Sequence, residues 1–380
     1  MPHEAFTGIN DTTICFFANL LSQISGSTFN LRFYISIPCV IVNIFHLIVL
    51  NQKLMRTNSI NNLMSGVAVC DLTNMAYIVF TKVLSIFVST RCFNIYGYYK
   101  IFMEHWFQRA DEIFRPSSAW LSVIISLVRV LVVKFPLNSK FDVLSKPKFA
   151  IASILGTIFV WFLPVFFFRA ADRIEDANSP WCSFSENYTE PRYQYGVPEY
   201  FLSGLMMSSK LYQYIGGCGK IGLTVILPIL TLLLVIEIRK AERNRNNVIA
   251  SQRTSTKNNQ TTKMIFSMTL ASMITEGING ILLFWTTAYQ DGSYDNISYR
   301  RKIFVITSFE SMNGILIVLN TMSHFFFALM LSSQYKNTAK NLFICKVLGI
   351  PKFTSSRAVS NINMASSTSA STNHGLVKVD

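Results

Sequence analysis

The residues best placed to do chemistry in this sequence are ionisable side chains set inside otherwise apolar stretches. Asp71 stands in Val67-Ala68-Val69-Cys70-Asp71-Leu72, and Arg129 opens the run Val130-Leu131-Val132-Val133-Lys134. A charge at membrane depth costs several kcal/mol unless it turns toward a bundle interior, so each is a functional candidate. Asn43 and Asn320 are placed to face Asp71. The three form either a polar cluster that holds water or a small cation, or a hydrogen-bonded network that glues helices together. Arg129 reads as an interior arginine; facing lipid, it would snorkel to the headgroups. Upstream lie Gln108, Arg109, Asp111, Glu112 and Arg115, an unusual density of charge for such a segment. Asp111 precedes Arg129 by about five turns of one helix. An acid at that level can bind a ligand amine or guanidinium; equally, Asp111 or Glu112 can pair with Arg109 and Arg115 at helical spacing. No H-E-x-x-H or G-x-S-x-G motif occurs, and His46 and His324 have no ligand partner at regular spacing. The expectation is therefore no enzyme, no metal and no cofactor, with both histidines hydrogen-bonded in the core.

These residues need helices to position them. Seven stretches, at 31–51, 60–87, 107–134, 148–168, 213–238, 263–289 and 303–331, are each long and apolar enough to cross a hydrocarbon core of about 30 Å. Composition agrees: 51% hydrophobic, 14% charged and 31 Phe in 380 residues suit a bundle facing lipid rather than a soluble domain. The net charge of +14 suggests nucleic acid only at first sight. Most basic residues sit in short loops beside apolar segments, at 52–59, 135–147 and 239–262 and after 332, so the charge encodes topology. This puts the N-terminus outside and the C-terminus in the cytoplasm. The sequons at Asn10, Asn187 and Asn296 then fall on the outer side as candidate glycan sites. No A-x-A-like site follows a short apolar core, so the first helix is expected to act as the insertion signal. There is no fixed-period repeat, and no pair of broken segments in two halves, which weighs against a transporter.

The expected organisation is an extracellular N-terminus over 1–30, a seven-transmembrane domain over 31–331, an amphipathic helix over 332–350 and a Ser/Thr-rich disordered cytoplasmic tail over 351–380. The fold class is an all-α membrane protein: a seven-transmembrane helix bundle with a short amphipathic eighth helix.

Four motifs carry a resemblance to a known family. They are Asn58-Ser59-Ile60-Asn61-Asn62-Leu63-Met64 leading to Asp71; Trp120-Leu121 through Arg129 to Pro136-Leu137; Lys140-Phe141-Asp142 with Leu144-Ser145-Lys146-Pro147-Lys148-Phe149; and Ser332-Ser333-Gln334-Tyr335-Lys336. Pro228 in the fifth stretch adds to them. Over about residues 35–345 the chain resembles rhodopsin-like G-protein-coupled receptors and, more narrowly, nematode serpentine receptor class W, itself similar to FMRFamide-type neuropeptide receptors. The resemblance implies that Arg129, Pro136 and Leu137 engage a heterotrimeric G protein. It also implies an extracellular ligand, an amidated peptide, held at Asp111, Glu112, Arg115 and Glu276. A disulfide from the third helix to the second external loop is implied too, here Cys92 with Cys182. Arrestin and receptor kinases acting on the tail follow as further partners, with membrane lipid and no nucleic acid. The alternatives are a chemosensory receptor for a small environmental molecule, or a channel or transporter whose ion path runs through Asp71, Glu276, Arg129 and His324.

Three departures stand out. Val128 replaces the acid that usually precedes the arginine, so the usual intramembrane pair is lost. The sixth stretch reads Thr275-Glu276-Gly277-Ile278-Asn279-Gly280 without the usual Trp and Pro, leaving Gly277 and Gly280 to supply bending. His324-Phe325 occupies the place of the usual Asn-Pro.

Overall fold

A bilayer core offers the backbone no hydrogen-bond partners, so the apolar stretches cross it as α-helices that satisfy their own N–H and C=O groups. A computed structural model describes residues 12–89, 98–135, 139–169, 173–176, 183–185, 188–189, 193–196, 202–246, 255–289 and 297–347. In chain order the helices are α1 (Thr12–Leu50), α2 (Ser59–Ser89), α3 (Tyr98–Lys134), α4 (Pro147–Arg169), α5 (Leu202–Asn246), α6 (Ser255–Ala288), α7 (Ile297–Leu331) and α8 (Ser333–Val347). A 3-10 turn, Ser139–Ser145, joins α3 to α4. Between α4 and α5 lie two antiparallel ribbons, β1 (Arg173–Asp176) with β4 (Tyr193–Gly196), and β2 (Ser183–Ser185) with β3 (Tyr188–Thr189). The sequons at Asn10, Asn187 and Asn296, and the Cys92 and Cys182 pair, lie outside the described residues.

Helices α1 to α5 and α7 are each long and apolar enough to cross a membrane. Helix α6, which carries Glu276 and Asn279, packs between α5 and α7 and completes the seven-helix bundle. Packing runs from α1 to α2 to α3, from α3 to both α4 and α5, then through α6 to α7, and closes where α7 meets α1. The helices overrun the expected spans. Helix α1 begins at Thr12 rather than 31, and α5 runs from Leu202 to Asn246 rather than over 213–238. Bilayer thickness fixes the apolar length, whereas helical hydrogen bonding continues into polar flanks. Contacts divide the chain into Met1–Lys336, which holds the bundle, and Asn337–Asp380, in which residues 337–347 are helical.

The bundle has its polarity turned inward. Ser36, Asn43, His46, Asp71, Asn74 and Glu276 are buried, while Ile151, Leu155, Phe159, Leu232, Ile236 and Met330 are exposed on its outside, where lipid takes the place of water. The apolar part of the interior is layered. Leu63, Val67 and Cys70 of α2 meet Leu121 and Val128 of α3 and Ala150 of α4, while Cys39 of α1 meets Met75 and Ile78 of α2 and Val318 of α7. Cys39 and Cys70 are the packing residues their positions suggest. Cys218, in the apolar fifth stretch, is exposed, because its side of α5 faces away from the bundle.

Gly277 and Gly280 are close-packing positions. A Cβ at Gly277 would stand 3.1 Å from the Thr224 side chain, and one at Gly280 3.0 Å from Ile221 Cγ1 and 3.2 Å from Lys220 Cβ. The two glycines let α6 lie against α5, and Thr231 Oγ1 donating to Thr269 Oγ1 at 3.0 Å ties the same helices nearer the other end. Gly280→Ala is expected to force these backbones apart and to destabilise the bundle by about 1–3 kcal/mol. Thermal unfolding of the purified protein in detergent measures it; an unchanged Tm would remove the close approach as a constraint.

Candidate functional site

The inner polar centre is built on Asp71. Ser118 Oγ of α3 donates to Asp71 Oδ1 at 2.6 Å, and His324 Nδ1 of α7 stands 3.2 Å from Asp71 Oδ2. One carboxylate on α2 thus binds two neighbouring helices. All three side chains are buried, where a satisfied polar network holds its members rigidly and a half-satisfied one is costly. The asparagines expected to face Asp71 bond elsewhere. Asn43 Nδ2 donates to the Cys39 carbonyl one turn back at 3.0 Å, and Asn320 shares a hydrogen bond with Ser272 of α6 at 3.4 Å. Helical rotation is the reason: membrane depth is readable from sequence position, but the direction each side chain takes around its axis depends on packing. Asn43, His46, Ser122 and His324 line a cavity of about 20 Å3 beside this centre, with Met64 and Val67 among its walls. That volume suits about one water molecule.

A second contact joins the first helix to the start of α8. His46 Nδ1 and the Tyr335 hydroxyl are 2.7 Å apart, and Phe325 sets its ring edge-on to His46 at 6.0 Å. His46 and His324 are thus both hydrogen-bonded inside the bundle.

Arg129 lies on the same helix as Ser118, toward its C-terminal end. Its Nε and Nη1 are buried without a hydrogen-bond partner among the described residues. The preceding Val128 is packed among Leu63, Leu121 and Ala150, so no acid stands beside the arginine on its own helix. Beyond it, Phe135 stacks on Phe141 at 5.0 Å, and Ser59 Oγ donates to the Leu144 carbonyl at 2.6 Å, fixing the 3-10 turn against α2. Pro136 and Leu137 lie outside the described residues.

The N-terminal half of α3, placed on the outer side by the charge pattern of the loops, holds the second charged centre, the outer basin of the proposal below. Arg109 Nη1 donates to Glu112 Oε2 at 2.6 Å, and Gln108 and the Tyr212 hydroxyl reach the same carboxylate at 3.4 and 3.5 Å. Internal pairing at helical spacing therefore engages Glu112. Asp111, on the adjoining face, has a buried Oδ1 with no hydrogen-bond partner among the described residues. Arg115 and Glu276 are brought to the same level, and Lys220 of α5 lies within electrostatic reach of Asp111, Arg115 and Glu276. Sequence reasoning passed over Ser118, Lys220, Asn279 and Arg32. A signal for Lys220 existed: it interrupts the apolar fifth stretch after Gly219, and an intramembrane lysine is a site candidate by default.

Two substitutions test the inner centre. Asp71→Asn and Ser118→Ala, alone and together, are expected to couple by about 0.5–3 kcal/mol in a thermal double-mutant cycle; strict additivity would show that Asp71 does not tie α2 to α3. Tyr335→Phe strands the His46 ring nitrogen and is expected to cost about 1–3 kcal/mol on the same measurement, whereas a neutral result would make that contact incidental.

A search of curated proteins finds no match to this chain. A family profile does: the one described as the serpentine type 7TM GPCR chemoreceptor Srw matches residues 30–346, from within α1 into α8. A seven-helix bundle with a buried Asp71 centre, an arginine toward the C-terminal end of α3 and a charged basin toward its N-terminal end agrees with that match, and the chain belongs to the serpentine class W family of seven-transmembrane receptors.

Proposed function

We propose that this protein is a plasma-membrane receptor, N-terminus outside, which binds an extracellular ligand in the outer basin and activates a heterotrimeric G protein from its inner face. The observation that carries this reading is the construction of α3. A single continuous helix, Tyr98–Lys134, bears Asp111 at its outer half, Ser118 at the Asp71 centre and Arg129 toward its inner end. A ligand that binds one arrangement of the outer basin better than another shifts the population of the whole bundle by its difference in affinity.

The ligand favoured by the class W resemblance is an amidated peptide, whose terminal guanidinium would meet Asp111 or Glu276 and whose aromatic ring would enter the bundle. The chemoreceptor description of the family favours a second reading, a small environmental molecule at the same place. Arg129, with Pro136 and Leu137, is the surface offered to the G protein, and the tail is the region offered to arrestin and receptor kinases.

Cells expressing the full chain, screened with amidated peptides and small metabolites and read by G-protein activation, test the proposal. With an active ligand in hand, Arg129→Ala is expected to abolish the response at unchanged surface expression. Asp111→Asn is expected to weaken ligand potency about tenfold or more, equivalent to about 1.4 kcal/mol. A full response from Arg129→Ala would overturn the coupling role. A ligand-evoked current that survives this substitution and needs no G protein would establish a channel instead.

A further inference from the structure

The outer basin contains more half-buried positive charge than its own acids and amides satisfy. Arg32 enters from α1, Arg115 from α3 and Lys220 from α5. With the Asn279 amide turned so that its oxygen faces the donors, that oxygen accepts from Arg115 Nη2 at 2.5 Å and from Lys220 Nζ at 2.8 Å. Two cations thus share one neutral acceptor. The Nε atoms of Arg115 and Arg32 are buried with no hydrogen-bond partner, and Arg32 closes no ion pair among the described residues. Arg115 repels both Lys220 and Arg32. Asp111, Glu276 and Glu310 lie within electrostatic reach of Lys220, yet none closes an ion pair with the three cations among the described residues. Glu310 is spent at the exposed rim, where it accepts from Thr286 at 3.2 Å.

The fold makes room for these cations. A Cβ at Gly314 of α7 would stand 3.0 Å from Arg32 Cδ and 3.2 Å from its Nε, and one at Gly280 would stand 3.2 Å from Lys220 Cβ. Buried charge left in this state is costly, and a guest of opposite sign relieves it.

We propose that Arg32, Arg115, Lys220 and Asn279 form the anion-binding pole of the ligand site and receive a carboxylate, with Asp111 meeting a cationic group of the same ligand. Three cations face Asp111 and Glu276, and once Asp111 meets the cationic group of the ligand only Glu276 is left among these acids to offset them, so the pole calls for an incoming negative charge; a guanidinium presents its donors in the paired geometry a carboxylate accepts. The inference rests on the outer basin being the ligand site. It narrows the ligand to a dipolar molecule, so an amidated peptide would satisfy the pole only through an acidic side chain.

The test uses the purified full-length protein in detergent, at constant ionic strength, with thermal unfolding as readout. The probes are the tripeptide Gly-Arg-Phe with a free carboxylate, the same tripeptide amidated, and pentanoate. The free acid is expected to raise Tm by about 2 °C or more over its amide. A rise with pentanoate as well assigns the pole to any small carboxylic acid, and a rise with the free tripeptide alone assigns it to peptides. Both support the proposal, provided that Lys220→Met removes the rise. Lys220→Met is also expected to raise the Tm of the protein without probe, because it deletes an under-satisfied buried charge, whereas a lysine with a structural ion pair would lower it. Equal shifts from acid and amide, a rise that persists in Lys220→Met, or a lower Tm for that variant without probe would each overturn the proposal. No G protein enters this measurement, so loss of the signalling reading and loss of the anion pole are told apart.

Discussion

The interaction on which the rest of this bundle depends is the sharing of one buried carboxylate. Asp71 cannot be left alone in a low-dielectric interior, and α2 supplies no partner for it. Ser118 and His324 do, from α3 and α7. A carboxylate accepts preferentially along its lone-pair directions, so the two contacts favour rotations of α3 and α7 that turn Ser118 and His324 toward it. That rotation in turn decides which residues further along α3 turn inward: Asp111 and Arg115 at one end, Val128 and Arg129 at the other. The apolar layers around Leu121 and Val318 follow the same orientation. A small alteration at the centre would therefore be felt at both ends of α3.

Much of this was legible in the sequence, and what was not has a physical cause. Charges interrupting apolar runs give away Asp71 and Arg129, because hydrocarbon tolerates such residues only when they face inward. Placing Asn43 and Asn320 beside Asp71 assumed that equal depth means contact; their donors bond Cys39 and Ser272 instead. His324, read as a core histidine in an unusual place, turns out to be the helix-7 partner of Asp71. The missing proline draws attention to Gly277 and Gly280 as places for bending, and the structure adds that their absent side chains serve contact between α5 and α6. Lys220 and Arg32 escaped notice because one sits inside, and the other at the edge of, a segment already explained as a membrane span. Periodicity locates such residues along a helix, and only packing shows that they converge.

Arg129 takes on a different character without a neighbouring acid. In an interior where buried charge is normally paired, its Nε and Nη1 have no hydrogen-bond partner among the described residues, and Val128 precedes it in place of an acid. What keeps the inner ends of the helices together has to come from elsewhere. The described structure offers the Thr231 to Thr269 bond between α5 and α6, the seating of the 3-10 turn against α2 through Ser59, and the Asp71 centre above. These ties are neutral or self-contained, and none of them uses the arginine.

The contact between His46 and Tyr335 has a consequence for how the protein is made. The first helix leaves the ribosome long before residue 335 is translated, and domains take shape from the N-terminus as synthesis proceeds. Through all that time His46, near the C-terminal end of α1, is without the phenol it bonds in the finished bundle. Helix α7 closes the ring against α1, and only when Tyr335 has been made does this further contact fasten it. A premature stop just before Tyr335 would leave all seven helices in place and the fastening missing, so the cell's quality control could distinguish a finished receptor from an unfinished one at the first helix.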